Sequence, residues 1–152
     1  MVARQRRHPA FTSDPYPAVV PSEREGRERF EIALIAHDAK KEDLVRFVED
    51  HREPLERCHL VATGTTGRLL VDRTGLRVDS VASGPEGGDL QIGARIVDGF
   101  VDAVIFFRDP LTAHPHDPDI QAVLKVCDVH DVPLATNRAS ADLLIRGLFD
   151  RD

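Results

Sequence analysis

The stretch VATGTTGRLL, residues 61–70, joins two apolar segments through a short run of threonine and glycine. Its first two residues end what reads as a buried strand, and a helical pattern resumes at Arg68 and Leu69. A strand that passes directly into a helix is typical of the units from which parallel sheets are built. The run 63–66 lies at that junction, and Asn-Gly alone would have been enough to form a turn there. Turn formation alone therefore does not explain why residues 63–66 are three threonines and a glycine.

Strand and helix patterns alternate on both sides of this junction. Short, mostly apolar runs predict five strands, at 30–36, 58–63, 78–83, 101–107 and 133–136. Helical spacing of apolar residues predicts five helices, at 38–51, 66–75, 87–99, 117–130 and 139–149. Regular alternation of this kind is typical of a parallel sheet whose crossover helices cover its faces. The sequence therefore predicts an α/β fold, with an open parallel five-stranded sheet and helices on both faces.

Some helix boundaries and faces are also indicated. Asp38 and Asp117 are predicted N-caps, and Gly75 is expected to end the second helix. The apolar side of the third helix is expected to contain Leu90, Gly93, Ala94 and Val97.

The composition indicates one domain that follows a polar arm. The chain has 152 residues, of which 41% are hydrophobic, and this is enough to build one core. Residues 1–29 are rich in proline and charge and are expected to form a disordered or loosely docked arm, with the domain over 30–152. Six arginines and four acids give the arm +2 within a net charge of −6, so the domain carries −8. An acidic domain disfavours a broad nucleic-acid surface.

Membrane insertion and export are not indicated by the sequence. No apolar run reaches the roughly 18 residues of a membrane helix, and the first thirty residues lack the apolar centre of a secretory signal. Cys58 and Cys127 are far apart and match no disulfide or metal spacing. We expect both to be buried and reduced in a cytoplasmic protein.

Each predicted strand is followed by a polar cluster. The clusters contain, in chain order, His37, Asp38 and Lys41; Thr63 to Thr66; Ser83, Gly84 and Asp89; Asp109, His116, Asp117 and Asp119; and Thr136 with Asn137. The carboxyl ends of parallel strands share one edge of a sheet, and ligands bind in the crevice there. Taken singly, an aspartate can be a helix cap and a histidine an ordinary hydrogen-bonding group. Their convergence at one edge is what predicts a site.

The threonine–glycine run is suited to holding a phosphate. The start of a helix presents backbone N–H groups and the positive end of its dipole, and glycine permits close approach of a ligand. His37 and Lys41, four residues apart, are expected to face the same crevice. A threonine-rich turn can also be an ordinary helix cap, so this motif alone does not decide. The candidate phosphate ligands are Thr63, Gly64, Thr65, Thr66, Ser83 and Gly84.

Three further residues suggest the chemistry. Asp89 follows two glycines at a helix start, where a carboxylate facing a phosphate site could remove a proton next to a carbonyl group. His116 could polarise that carbonyl and move protons between its oxygens, and Asp119 could orient the imidazole. A metal site formed by His37, His116 and the aspartates is less favoured, because the threonines and Lys41 already satisfy an anion.

With these residues identified, the chain resembles the methylglyoxal synthase family. The resemblance runs from about Glu31 to the last helix and rests on LIAHDAKK, ATGTTG, SGPEGGDLQIGARI, FFRDPLTAHPHDPDIQAVLKVC and VPLATN. It implies a Rossmann-like sheet, a homohexamer, and conversion of dihydroxyacetone phosphate to methylglyoxal and inorganic phosphate without cofactor or metal. Inorganic phosphate would then be a product and an inhibitor.

The resemblance also implies roles for individual residues. The catalytic base is Asp89, and His116, with Asp119, handles protons on the substrate oxygens. Asp109 lines the site less directly. The residues that would contact substrate or its phosphate are His37, Lys41, Thr63, Gly64, Thr65, Thr66, Ser83, Gly84 and His116.

Two departures from the family pattern stand out. Arg108 occupies a position where relatives often carry an uncharged residue, and the chain ends soon after the last helix. Two alternative functions stay open at this point: a regulatory module of the same fold that binds a phosphorylated effector, as in carbamoyl phosphate synthetase, and a phosphosugar isomerase. A response-regulator-like receiver fits the threonine-rich turn poorly.

Overall fold

The computed structural model describes residues 29–113 and 117–149, except for the side chain of Asp117. The arm predicted over 1–29, apart from its last residue, and the candidate site residue His116 lie outside the described residues. Within them, the strands are β1 Glu31–Ala36, β2 His59–Ala62, β3 Val78–Ser80, β4 Ala103–Phe107 and β5 Leu134–Ala135. The helices are α1 Lys41–Asp50, α2 Arg52–Glu56, α3 Gly64–Thr74, α4 Gly88–Val97, α5 Asp117–Val129 and α6 Arg138–Phe149. Short 3₁₀ turns, Asp38–Lys40 and Gly84–Glu86, precede α1 and α4.

The five strands form one parallel sheet in the order β3-β2-β1-β4-β5. The predicted fold class is confirmed. The chain first builds outward from β1 to β2 and β3, and then returns to add β4 and β5 on the other side of β1. This reversal creates a crevice at the carboxyl ends of β1 and β4, the position where doubly wound sheets bind ligands.

Alternate residues of β1 pack against opposite faces of the sheet. Ile32 and Leu34 belong to an apolar cluster with helices α1, α2, α3 and α6. Ala33 and Ile35 belong to a second cluster with α4 and α5. Because the side chains of a strand alternate with a period of two, a continuous apolar run is what a strand covered on both faces requires. The burial of all six residues of β1 follows from this arrangement.

The structure corrects two predictions about helix starts. The helix after β2 begins at Gly64 rather than near Thr66, so the threonine–glycine run is the first turn of α3 and not a loop before it. Asp38 does not cap α1: it opens the 3₁₀ turn, and its carboxylate accepts a hydrogen bond from Lys41 Nζ at 2.7 Å. The predicted end of α3 is confirmed, because Gly75 lies just beyond it with a φ of 74°.

The expected apolar side of α4 is also corrected. The helix buries Ile92 and Ile96, whereas Leu90 and Val97 are 51% and 38% exposed. Residues 92 and 96 have the same four-residue spacing as 90 and 94, so periodicity alone could not choose between the two sides.

The amino edge of the sheet, opposite the crevice, is held by an ion-pair network. Glu31 is buried and receives two hydrogen bonds from Arg95, at 2.9 and 2.7 Å. The two ring nitrogens of His59 lie 2.9 Å from Glu31 Oε1 and 2.6 Å from Asp79 Oδ2. The hydrogen bond from His59 lowers the pKa of Asp79 below its ordinary value of 3.8. This network is structural, since it lies at the opposite edge from the crevice.

None of the helices in the described part of the chain has the length and apolar character needed to cross a bilayer.

Candidate active site

The residues that follow β1, β2 and β3 adopt the same local structure. His37, Thr63 and Ser83 each precede a helical turn with φ between −67° and −64° and ψ between 153° and 157°. None of the three side chains makes a capping hydrogen bond to the turn it precedes. In ordinary helix starts a hydroxyl at this position would satisfy a backbone N–H group. The side chains of His37, Thr63 and Ser83 are therefore not used as caps of these turns.

These turns border a cleft of about 440 Å³ at the carboxyl edge of the sheet. Residues from four βα junctions contribute to it, whereas Thr136 and Asn137, which follow β5 and were predicted to join them, are not among the residues that line it. The polar residues that line it are His37, Asp38, Lys41, Thr63, Thr65, Asp89, Asp109 and Thr112, with Gly84 and Pro85 completing one wall. A volume of this size is adequate for a small phosphorylated metabolite.

Asp89 is positioned by the glycine that precedes it. It is the second residue of α4 and is fully buried. A Cβ on Gly88 would lie 1.9 Å from the carbonyl oxygen of Ala82, so only glycine lets the start of α4 approach this loop. Gly87 has a φ of 101°, which also favours glycine. The GGD sequence thus turns the chain and seats the carboxylate in the floor of the cleft.

His37 is held by a backbone hydrogen bond that sets its tautomer. The N–H of Asp109 donates to His37 Nδ1 at 2.8 Å, so the proton of the neutral ring lies on Nε2. The ring is 6% exposed and packs edge-on against Phe106, with the centroids 5.3 Å apart. This arrangement leaves Nδ1 as the acceptor and Nε2 as the donor nitrogen of the neutral ring.

Lys41 provides the positive charge of the cleft. Its ammonium group donates to the carbonyl oxygen of Ala36 at 3.1 Å and to Asp38 Oδ1 at 2.7 Å. Its side chain is 17% exposed. An ammonium group has three N–H donors, so one is left for an anionic ligand. The geometry thus places a cation beside β1 in a domain that is acidic overall.

The four residues of the threonine–glycine turn differ in their exposure to the cleft and in their hydrogen bonds. Thr63 and Thr65 line the cleft, whereas Thr66 is 1% exposed and does not. Thr66 Oγ1 has no hydrogen-bond partner among the residues that the structure describes. Gly64 donates its N–H to Ala82 O at 3.1 Å, and a Cβ on it would lie 3.1 Å from Val81 O. The glycine therefore brings the loop after β3 close to the helix start, whereas Thr63 and Thr65 line the cleft.

The other predicted site residues are placed as follows. Gly84 lines the cleft, and Ser83 directly precedes it at the start of the same turn. Asp119 lies in the first turn of α5 and is not among the cleft-lining residues. Its predicted partner, His116, is outside the described residues. The sequence analysis placed Asp38 in the polar cluster after the first strand and also interpreted it as a helix cap, and it did not single out Thr112.

The two cysteines take no part in the cleft. Cys58 and Cys127 are both buried and unpaired by disulfide, as the sequence predicts. Burial raises the pKa of each thiol to about 12, which keeps both protonated and unreactive near neutral pH.

Comparison with known proteins agrees with this geometry. A family model described as an MGS-like domain matches residues 43–136. The chain belongs to the methylglyoxal synthase family. It is 60% identical over 117 residues to methylglyoxal synthase of Carboxydothermus hydrogenoformans, a match that covers 77% of this chain and 97% of that protein. It is 61% identical over 117 residues to methylglyoxal synthase of Cupriavidus pinatubonensis, covering 77% and 90% respectively.

A solved structure of the methylglyoxal synthase family has the same fold. The crystal structure of methylglyoxal synthase from Elizabethkingia anophelis NUHP1 matches with a TM-score of 0.74 and 48% sequence identity, over 78% of each chain. The fold and family predicted from the sequence motifs are therefore both confirmed.

Proposed function

We propose that this chain converts dihydroxyacetone phosphate to methylglyoxal and inorganic phosphate, as a carbon–oxygen lyase that acts on a phosphate ester. The observation that supports this most is that Asp89 and the start of α3 line one cleft. A carboxylate alone or a phosphate-binding turn alone would fit other functions. Their combination fits a reaction in which a base works on a substrate held by its phosphate.

The phosphate is bound by the start of α3 and the turn after β3 in this proposal. No described residue offers a backbone acceptor to the N–H groups of Thr65 and Thr66, and these lie at the positive end of the α3 dipole. The hydroxyls of Thr63 and Thr65 add donors, while Gly84, which Ser83 directly precedes, lines the cleft as part of the turn after β3. Lys41 supplies the cation that offsets the phosphate charge. This set holds the phosphate by local geometry, as an acidic domain requires.

The reaction begins with proton removal. Asp89 takes a proton from the hydroxymethyl carbon, and the electrons of the broken C–H bond form the enediolate. His37 donates Nε2–H to an oxygen of this intermediate, with His116 and Asp119 as the further residues assigned to proton handling. Burial of Asp89 keeps bulk water from returning the proton to the wrong atom.

Phosphate elimination follows. The enediolate electrons expel the phosphate by breaking the bond between its ester oxygen and carbon. The enol that remains takes up a proton at its methylene carbon and loses its hydroxyl proton, which gives methylglyoxal. The phosphate donors of α3 stabilise the leaving group as its charge grows. Inorganic phosphate would occupy the same donors and is expected to inhibit competitively.

A product assay tests this function. The protein is incubated with dihydroxyacetone phosphate in chelator-treated buffer, and free phosphate and 2-oxoaldehyde are measured together. We expect equal amounts of the two products. Glyceraldehyde phosphate in their place would indicate the isomerase, and phosphate binding without turnover would indicate the regulatory module.

Two broader properties belong to the same proposal. A homohexamer is supported by the exposed apolar residues Leu90 and Val97 on α4, and light scattering would measure its mass. Cytoplasmic localisation is supported by the sequence expectation of reduced thiols and by a substrate formed in central metabolism, and cell fractionation would test it.

A further inference from the structure

The loop that follows β3 is connected to both halves of the cleft. The Ala82 carbonyl oxygen accepts the N–H of Gly64, which opens α3, at 3.1 Å. The Ser83 carbonyl oxygen accepts the N–H of Gly88, which opens α4, at 2.8 Å. The backbone segment Ala82–Ser83 therefore lies between the helix that begins in the threonine–glycine turn and the helix that carries Asp89. A shift of this segment would change the distance between the phosphate site and the base.

One further contact restrains this segment, and it uses a side chain. The N–H of Ala82 donates to Gln91 Oε1 at 2.7 Å. The other two contacts are made between backbone atoms, so Gln91 is the member of the set that a substitution can remove. The Gln91 side chain thus links α4 directly to the loop that follows β3.

Gln91 acts away from the substrate. It is not among the residues that line the cleft, and it follows Asp89 by two positions on α4. Residues two apart on a helix point to nearly opposite sides, so a substrate bound by Asp89 is out of reach of Gln91. Any effect of Gln91 on the reaction must pass through the loop that it holds.

We propose that Gln91 is a positioning residue that fixes the Ala82–Ser83 segment between α3 and α4 and so sets the separation of the phosphate site from Asp89. This inference rests on the proposed function. It predicts that removal of the amide acceptor loosens the geometry of the cleft without removing any group that touches the substrate.

The test compares three variants with the wild type. Gln91→Leu removes the acceptor, whereas Gln91→Glu keeps an oxygen that can accept from the Ala82 N–H. Gln121→Leu is the matched control, because Gln121 is an exposed residue of α5. For each protein, kcat and KM for dihydroxyacetone phosphate, the affinity for inorganic phosphate by calorimetry, and Tm are measured.

We expect Gln91→Leu to lower kcat/KM by about tenfold, since a displacement of about 1 Å can cost about 100-fold and here two backbone contacts persist. We expect its affinity for inorganic phosphate to fall about threefold, on the same argument that one of three restraints is lost. Gln91→Glu should restore both quantities to within about twofold, and Gln121→Leu should match the wild type.

The outcomes separate this inference from the proposed function. A Gln91→Leu variant with wild-type kcat, KM and phosphate affinity would overturn the positioning role, even if its Tm were lower. Equal losses in the Leu and Glu variants would overturn it as well. If the wild type binds phosphate but does not turn over dihydroxyacetone phosphate, the proposed function fails, and the phosphate affinities alone then decide on Gln91.

Discussion

Replacement of Gly88 by alanine tests how closely the base must approach the loop after β3. The new Cβ would lie 1.9 Å from Ala82 O and 2.8 Å from Ser83 O. Since Cβ contacts below 3.0 Å do not occur in real structures, α4 and the loop must separate by about 1.1 Å, the difference between 1.9 and 3.0 Å. The atom in the clash, Ala82 O, belongs to the backbone, so the clash cannot be relieved by a change in side-chain rotamer.

This displacement predicts a large loss of activity with a moderate loss of stability. A misplacement of about 1 Å can cost about 100-fold in rate, so we expect kcat/KM of Gly88→Ala to fall by about that factor. Overpacking of this kind costs about 1–3 kcal/mol, so the free energy of unfolding should fall within that range and leave the variant folded at 25 °C. Steady-state kinetics at 25 °C and chemical denaturation would measure the two effects.

Gly93→Ala is the matched control in the same helix. Its Cβ would meet only Val126 Cγ2, at 3.9 Å, and alanine is a better helix former than glycine by about 0.5–1 kcal/mol. We expect a slightly more stable protein with unchanged kcat/KM. Wild-type kinetics in folded Gly88→Ala, or an equal loss of activity in both variants, would refute the argument that the close approach at Gly88 positions Asp89.

Three further predictions follow from single contacts. Lys41→Met should raise KM for dihydroxyacetone phosphate by about tenfold or more, because a hydrogen-bonded charge in the cleft is lost. Lys40→Met is the control, since Lys40 lies on the exposed side of the same turn, and it should leave KM unchanged. Equal KM values for the two variants would contradict the role given to Lys41. Thr65→Ala should raise KM and weaken phosphate inhibition by a similar factor of about ten, whereas an unchanged KM would make the turn purely structural. Asp79→Asn should lower Tm at neutral pH, because the pKa of Asp79 is lowered and its carboxylate stabilises the fold at pH values above its ordinary pKa of 3.8. This stabilisation is lost as the pH falls through the native pKa, so the difference in Tm from the wild type should shrink below about pH 4. A constant difference between pH 7 and pH 3 would exclude the hydrogen bond with His59 as its cause.

The fold was accessible to sequence reasoning because its signals are local and repeated. The apolar run of β1 reports burial on both faces, and the alternation of strand and helix patterns fixes a parallel sheet. The edge on which the polar clusters meet then follows from topology, which is why residues as distant as His37 and Asp109 could be expected together. Helix faces were less accessible to sequence reasoning, because α4 offers two apolar sides with the same spacing and only packing against the sheet and α5 selects Ile92 and Ile96.

The site was predicted in outline, and its internal contacts were not. The composition of the turn after β2 indicates phosphate binding, but it does not show that Gly64 uses its N–H to hold the neighbouring loop. The backbone donor of Asp109 fixes the His37 tautomer, and no sequence pattern encodes a contact that any residue type could make. The contact of Gln91 with the Ala82 N–H could not be predicted for a related reason, since the sequence does not indicate which backbone group a surface glutamine on a helix will contact.

The central claim is that Asp89 removes a proton from a substrate that is held by its phosphate. The most direct test is Asp89→Asn, with turnover of dihydroxyacetone phosphate and calorimetric affinity for inorganic phosphate measured on the same preparation. General base catalysis contributes about 10²–10⁴-fold, so kcat should fall by at least the lower factor while phosphate still binds with near wild-type affinity. A folded Asp89→Asn variant that retains wild-type kcat would contradict the account.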